Sequence, residues 1–297
     1  MLIYSFSLYL GLTRIATPAI HCLRARLNAV TTHAPLDEID QRVRARHSLN
    51  MTTNLTLDTT STLTGKIRAL EELLARIARD YMPATLASSL SIEDMVVTDA
   101  ILRNHIAIEI FTLDTGRMHQ DTLDVISAIE RRYNARIKVY TPDPQAVTQY
   151  VTMHGRDAFY QSVDLRKRCC EMRKIEPLKR ALAGKTAWLT GLRRSQSVTR
   201  DALQIQAYDA NYGLEKFNPL ADWSEEEVWA YIRAHDVPYN RLYDQGYRSI
   251  GCAPCTRPTV VGEDVRAGRW WWEQPESREC GLHVGPDGRL VRSKGNA

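Results

Sequence analysis

Short apolar runs alternate with helix-like apolar spacing through the middle of the chain. From Thr64 to Tyr81, apolar residues recur every three or four positions, which predicts an amphipathic helix. Helical spacing returns after Ile92, after Asp121 and after Pro144. Between these segments lie four apolar runs of strand length: Ala84–Leu90, Ile106–Leu113, Ile137–Tyr140 and Lys185–Thr190.

This alternation predicts an α/β fold, a parallel sheet with helices on both faces. Ligands of such sheets bind beyond the carboxyl ends of the strands. Three polar segments follow predicted strands at that edge: Ser88–Ser91, Asp114–Gly116 and Gly191–Arg194. The first segment lies between a strand and a helix, where hydroxyl and backbone N–H groups can bind an anion, although a simple helix cap accounts for the same residues.

The C-terminal third has a different pattern. Ser224 with Glu227 three residues later forms a capping box, which predicts a helix over Glu225–His235. From Asp236 onward, Pro, Gly and Tyr interrupt any long periodicity. This composition predicts a loop-rich C-terminal lobe.

Length and composition set the domain organisation. A chain of 297 residues with 44% hydrophobic residues can bury a full core, so residues 61–297 are expected to form one domain with a mobile tail over 273–297. Residues 1–60 are expected to be a disordered extension or a start-site artefact. A net charge of +4 does not indicate nucleic-acid binding, and no apolar span reaches membrane length. Association of identical chains is left open.

Four of the six cysteines form two close groups, Cys169-Cys170 and Cys252 with Cys255. Such spacing is unlike a disulfide framework and suits a reducing cytoplasm. Four thiolates can hold tetrahedral zinc or an iron–sulfur cluster, or they can be plain buried cysteines. A cluster accommodates adjacent cysteines more readily, because neighbouring thiolates can bind different irons.

Cys280 stands apart from these groups, between Arg278 and His283. Nearby positive charge lowers a thiol pKa, so Cys280 is a candidate reactive thiol, although an unpaired exposed thiol is usually accidental. Arg266 and Arg269 lie three residues apart beside three tryptophans, where a helix would present both guanidinium groups to one oxyanion. A solvated helix face accounts for this arginine pair equally well.

Nine short motifs between Ala84 and His283 together resemble one enzyme family. They are S-S-L-S-I-E-D-M, F-T-L-D-T-G-R-M-H, K-R-C-C-E-M-R-K-I-E-P-L, W-L-T-G-L-R-R-S-Q-S, F-N-P-L-A-D-W, V-P-Y-N, G-C-A-P-C-T-R, G-R-W-W-W-E and E-C-G-L-H. Their order resembles that of the assimilatory adenylyl-sulfate and 3′-phosphoadenylyl-sulfate reductases. These are thioredoxin-dependent enzymes of the ATP-pyrophosphatase-like nucleotide-binding superfamily.

The resemblance implies a role for each matched residue. The four grouped cysteines match the ligands of a [4Fe-4S] cluster, which is typical of the adenylyl-sulfate branch: Cys169, Cys170, Cys252 and Cys255. Cys280 matches the nucleophile. The remaining matches imply contacts with the substrate, at its phosphate, nucleoside or phosphosulfate: Ser89, Ser91, Leu113, Thr115, Lys174, Gly191, Arg266, Arg269 and His283.

The activity implied is reduction of adenosine 5′-phosphosulfate to sulfite and AMP, with thioredoxin as the partner. The alternatives are a 3′-phosphoadenylyl-sulfate reductase and a non-catalytic iron–sulfur protein that binds a nucleotide.

Overall fold

A six-stranded sheet forms the centre of the fold in the computed structural model, which describes residues 62–196, 200 and 202–274. The strands are β1 Ala84–Ala87, β2 Glu109–Leu113, β3 Lys138–Tyr140, β4 Ala187–Leu189, β5 Gln206–Asp209 and β6 Leu214–Phe217. Their order is β3-β2-β1-β4-β6-β5. Every neighbouring pair is parallel except β5 with β6, so the predicted parallel sheet is confirmed, with one antiparallel edge strand added.

Helices cover both faces of this sheet. Helix α1 spans 62–80. The others are α2 Ile92–Arg103, α3 Gln120–Tyr133, α4 Pro144–His154, α5 Val163–Cys170, α6 Glu176–Leu182 and α7 Glu225–Ala234, with a π-helical turn Glu171–Ile175 between α5 and α6. Successive strand residues point to opposite faces, so Ile110 packs in the cluster that holds α1, α2, α3 and α7, while Phe111 packs against α6.

Most predicted elements are confirmed, with strands shorter than the apolar runs. Helix α2 begins at Ile92, and the capping box at α7 is present because Ser224 accepts the Glu227 N–H and Glu227 accepts the Ser224 N–H. The sequence pattern did not predict α5, α6, β5 or β6. Charged residues dominate Val163–Glu176, and β5 and β6 have only four residues each, so their periodicity is weak.

The C-terminal lobe contains short 3₁₀ helices at Arg241–Gln245 and Ala253–Cys255. The helix expected around Arg266 and Arg269 is wrong: residues 265–268 form a turn, and Arg269 pairs with Thr256 in an antiparallel bridge. The backbone of this segment pairs with the neighbouring chain instead: the Arg257 N–H donates to the Gly268 carbonyl at 3.0 Å, and a Cβ at Gly268 would lie 2.2 Å from the Arg257 carbonyl oxygen.

Two predictions lie outside the described residues: the character of residues 1–60, and that of the tail beyond Gln274. Among the helices that the structure describes, none is long and apolar enough to cross a membrane.

Candidate active site

A cavity of about 480 Å³ opens at the carboxyl edge of the sheet. The chain leaves β1 toward β2 on one side and returns to β4 on the other, which makes the β1/β4 boundary the topological switch point where ligands of such sheets bind. The volume suits a small-molecule site. Eight residues predicted from the sequence line it: Ser89, Ser91, Leu113, Thr115, Lys174, Gly191, Arg266 and Arg269.

The loop after β1 is organised by a buried carboxylate, Asp94. Its Oδ2 accepts the Ser89 N–H at 2.7 Å and the Ser89 hydroxyl at 2.5 Å, with the Ser91 hydroxyl at 3.3 Å. Burial raises the pKa of Asp94, although these hydrogen bonds oppose the shift. Because both hydroxyls donate to Asp94, an anion that binds through Ser89 or Ser91 would have to turn those hydroxyls away from the carboxylate.

Gly191 closes this loop from the β4 side. Its N–H donates to Asp94 Oδ1 at 2.8 Å, and a Cβ at Gly191 would lie 2.6 Å from that oxygen and 2.8 Å from the Asp94 nitrogen. Only glycine therefore permits this approach of the two segments. Asp94 stands three residues after Ser91, and this spacing was the one sequence signal that could have identified it.

A buried ion pair supports the same edge and was also missed. Arg193 donates from Nε and Nη2 to Glu93 Oε1 at 3.1 and 3.0 Å, and both side chains are almost fully buried. Gln196 donates to the same oxygen at 2.9 Å. The pair therefore fixes the segment after Gly191 against the start of α2.

Positive charge gathers at the other end of the cavity. Lys174, from the π-helical turn, lines both the large cavity and a small one that contains the four grouped cysteines. Arg269 donates to the Ile250 carbonyl at 3.1 Å, and its Cζ lies 4.6 Å from the centroid of the Trp270 ring. Its guanidinium also packs on Gly251, where a Cβ would lie 2.5 Å from Cζ.

The small cavity, of about 20 Å³, is lined by the four grouped thiols, which form no disulfide: Cys169, Cys170, Cys252 and Cys255. The end of α5 supplies the first two, and the Ala253–Cys255 turn positions the others. Within the described ranges, no group of three or more His, Cys, Asp or Glu side chains is placed to hold a metal ion. The four thiols share one small cavity.

Basic and polar groups surround these thiols. Burial raises the pKa of Cys252, but Lys174, a hydrogen bond with Thr115 and two arginines outweigh it, so the pKa lies below its usual value. The Thr115 hydroxyl is 3.2 Å from Cys252 Sγ. Burial and the charge of Cys252 raise the pKa of Cys255 to about 12. Ionisation of Cys252 thus opposes ionisation of Cys255, and a bound metal centre would relieve that repulsion.

Two arginines contact the Cys169-Cys170 pair. Arg173 hydrogen-bonds Cys169 and donates to the Thr115 carbonyl at 2.6 Å. Arg166, fully buried, hydrogen-bonds Cys170. The indole N–H of Trp270, which also lines the small cavity, has no hydrogen-bond partner in the described part of the chain. This donor set, rich in N–H groups around four sulfurs, fits an anionic metal–thiolate unit.

Cys280 and His283 lie outside the described residues, so their positions relative to either cavity stay predictions.

Comparison with known proteins identifies the family. Residues 83–258 match the phosphoadenosine phosphosulfate reductase domain. A protein from Allochromatium vinosum named adenosine 5′-phosphosulfate reductase is 58% identical over 224 residues, which are 75% of this chain and 88% of the relative. This chain belongs to the phosphoadenosine phosphosulfate reductase family, among the adenosine 5′-phosphosulfate reductases.

Other members of this reductase family agree. An adenosine 5′-phosphosulfate reductase of Neisseria meningitidis serogroup A is 54% identical over 222 residues, covering 74% of this chain and 91% of the relative. The crystal structure of phosphoadenylyl-sulfate reductase from Candida auris, a phosphate complex, has a TM-score of 0.56 and 28% identity. The structural match covers 63% of this chain and 90% of the Candida auris chain. The reductase fold expected from the motifs is thus confirmed.

Proposed function

We propose that this protein reduces adenosine 5′-phosphosulfate to sulfite and AMP, as the names of its relatives indicate. One observation carries the proposal: the cavity at the topological switch point is bounded by the Ser89 loop and Gly191, and its basic Lys174 also borders the four thiols. A nucleotide with an anionic tail matches a cavity that has apolar walls and a cationic end.

Two chemical steps lead to sulfite, and a third regenerates Cys280. The Cys280 thiolate attacks the sulfate sulfur, a sulfur–sulfur bond forms, the bond from that sulfur to the bridging oxygen breaks, and AMP leaves. Lys174, Arg266 and Arg269 bind the anionic oxygens and offset the charge that moves toward the leaving AMP. These three residues act as binding and electrostatic groups.

A dithiol protein of the thioredoxin class completes the cycle. One of its thiolates attacks the Cys280 sulfur, sulfite leaves with the bonding pair, and a mixed disulfide forms. The second thiol of the same partner resolves that disulfide and restores Cys280. Oxidation of one dithiol thus supplies the two electrons that reduce the sulfate sulfur. A dithiol reductant and free structural thiols both suit the cytoplasm, where we expect the protein to work.

We further propose that the four grouped cysteines hold a [4Fe-4S] cluster: Cys169, Cys170, Cys252 and Cys255. Their free thiols, the surrounding basic groups and the buried indole N–H of Trp270 support it. When bound, the cluster supplies local structure and negative charge beside Lys174, because a thiol nucleophile and a dithiol reductant already provide both electrons.

The deciding experiment measures sulfite release by anaerobically purified protein given thioredoxin and either adenylyl sulfate or its 3′-phosphorylated form, with iron and sulfide assayed on the same sample. Preference for adenylyl sulfate, with about four irons per chain, is expected. Turnover of only the 3′-phosphorylated substrate would overturn the substrate proposal, and iron without turnover would indicate a non-catalytic binding protein. Cys280→Ser should abolish sulfite release and retain iron and nucleotide binding.

A further inference from the structure

Arg248 lies at the mouth of the large cavity and has no assigned role. It belongs to the loop between the 3₁₀ helix Arg241–Gln245 and Cys252, and it lines the cavity. Its side chain is 44% exposed. Its Nη2 lies 3.6 Å from Glu225 Oε2, at the start of α7, which is too long for a hydrogen bond. Both residues line the cavity, where they form a loose, partly exposed ion pair.

The donors of Arg248 are uncommitted, unlike those of other arginines around the cavity. Arg193 donates to Glu93 and to the Ser195 hydroxyl, and Arg269 donates to the Ile250 carbonyl. Arg248 donates no hydrogen bond to any residue that the structure describes. A guanidinium with five donors, exposed at a cavity wall, is therefore available to a ligand.

The loop that carries Arg248 leads directly to Cys252, one of the four grouped thiols. The three residues that follow it also line the cavity, and Cys252 comes next: Ser249, Ile250 and Gly251. Arg269 is attached to the same loop through the Ile250 carbonyl and its packing on Gly251. Arg248 and Arg269 are thus held by one short segment.

We propose that Arg248 is a further substrate-binding residue, which leaves Glu225 and donates a bidentate hydrogen bond to the anionic phosphosulfate group, and that Glu225 competes with the substrate for it. The inference rests on the proposed substrate. An exposed ion pair at 3.6 Å is weak, whereas a bidentate arginine–oxyanion contact is among the stronger polar interactions. Exchange of Glu225 for the phosphosulfate group as the partner of Arg248 therefore favours substrate binding.

The test measures the dissociation constant of adenylyl sulfate in the Cys280→Ser chain, where turnover is blocked. Arg248→Gln should weaken binding by about 10- to 100-fold, the range expected for losing a charge-assisted contact. The dissociation constant of Arg248→Lys should lie between those of the Arg248 chain and the Arg248→Gln chain. Lysine keeps the positive charge but loses the two parallel N–H donors of the guanidinium group. Glu225→Gln should tighten binding by about two- to fivefold, because the competing carboxylate is gone. In the chain that retains Cys280, Arg248→Gln should raise KM more than it lowers kcat.

Arg241→Gln is the matched control. Arg241 is exposed, lies on the adjacent 3₁₀ helix and does not line the cavity. Its replacement by glutamine removes one positive charge, as Arg248→Gln does, without changing the cavity wall. The proposal is overturned if Arg248→Gln weakens binding no more than Arg241→Gln does. It is also overturned if Glu225→Gln weakens binding, because a purely structural pair would respond alike to loss of either member.

The same measurements separate this inference from the proposed function. If the chain that retains Cys280 binds adenylyl sulfate but releases no sulfite, the proposed reaction fails, and the opposite effects of Arg248→Gln and Glu225→Gln still decide the role of Arg248. If the Cys280→Ser chain does not bind adenylyl sulfate, both proposals are overturned.

Discussion

Asp94 and Gly191, 97 residues apart in the sequence, are joined by a 2.8 Å hydrogen bond from the Gly191 N–H to the Asp94 carboxylate. The contact connects the segments that follow β1 and β4, at the point where the chain reverses its direction across the sheet. The wall of the large cavity is built on this contact, because Ser89 and Ser91 donate to the same carboxylate.

Gly191→Ala should damage this wall. The new Cβ would lie within 3 Å of Asp94 and of the Glu93 carbonyl carbon, so the segments must separate. We expect a loss of stability of about 1–3 kcal/mol from overpacking. AMP binding, measured by calorimetry, should weaken with it.

Gly65→Ala is the control for that change. Gly65 is exposed on α1, with no atom within 4 Å of the added Cβ. Alanine there should stabilise the protein by about 0.5–1 kcal/mol and leave AMP binding unchanged. Equal AMP affinities for Gly191→Ala and Gly65→Ala would contradict the conclusion that close packing of Gly191 on Asp94 shapes the cavity wall.

Glu273→Gln should be strongly destabilising. Arg166 donates to both oxygens of Glu273, at 2.9 and 2.8 Å, and both side chains are nearly inaccessible to solvent. Removing one partner leaves a buried unpaired charge, at a cost of about 3–5 kcal/mol. Urea unfolding monitored by tryptophan fluorescence measures the loss.

The matched control is Glu176→Gln, in an exposed pair with Arg180 four residues along the same helix. Its effect should stay within about 0.5 kcal/mol. If the urea midpoints of the two glutamine variants coincide, the buried pair contributes no more to stability than the exposed pair does.

Thr115→Val should weaken retention of the proposed cluster. Valine keeps the shape of threonine but removes the hydroxyl that contacts Cys252 Sγ, and this hydrogen bond favours the thiolate. A chelator should therefore remove iron from Thr115→Val several-fold faster than from the unmodified protein. This factor corresponds to the free energy of about one hydrogen bond. Thr115→Ser, which keeps the hydroxyl, should release iron at nearly the original rate; identical rates for valine and serine would count against the contact.

Lys216→Met should change the pH dependence of stability. Burial lowers the pKa of Lys216 to about 8, and its Nζ lies 4.3 Å from the centroid of the Trp188 ring. Between pH 8 and the unfolded pKa of about 10.4, the unfolded chain holds a proton that the folded chain has lost, so stability rises with pH in this window. Below pH 8 the folded protein carries the cost of a poorly solvated cation.

The methionine variant lacks this titration. It should be more stable than the unmodified protein at pH 7, by on the order of 1 kcal/mol because part of the cost is offset by the cation–π contact. The difference should shrink toward pH 10. Lys138→Met, at an exposed lysine paired with Glu109, should show no such gain at pH 7. The free energy of unfolding of the three proteins is measured with denaturant at pH 7, 8, 9 and 10. A lower stability of Lys216→Met at pH 7 would contradict the prediction, because the cation–π contact would then outweigh the cost of burying the charge.

The local pattern alone determined much of this fold. Apolar period and cap residues identified α2, the α7 capping box and four parallel strands, because these signals record which side of each element is buried. The spacing of Cys252 and Cys255, and the adjacency of Cys169 and Cys170, marked the four thiols as candidates for one centre. The motif order identified the family, and the comparisons confirm it.

Only the tertiary structure decided how these parts meet. Thr115 and Cys252 are 137 residues apart in the sequence, and no local pattern indicates that their side chains touch. Arg269 was predicted on a helix and lies in a bridge with Thr256, a pairing between two segments that local periodicity does not report. The role of Asp94 and the uncommitted donors of Arg248 depend on neighbours brought close by folding. Periodicity reports burial along one element, whereas a site is a set of contacts between elements, and those contacts exist only once the sheet has assembled.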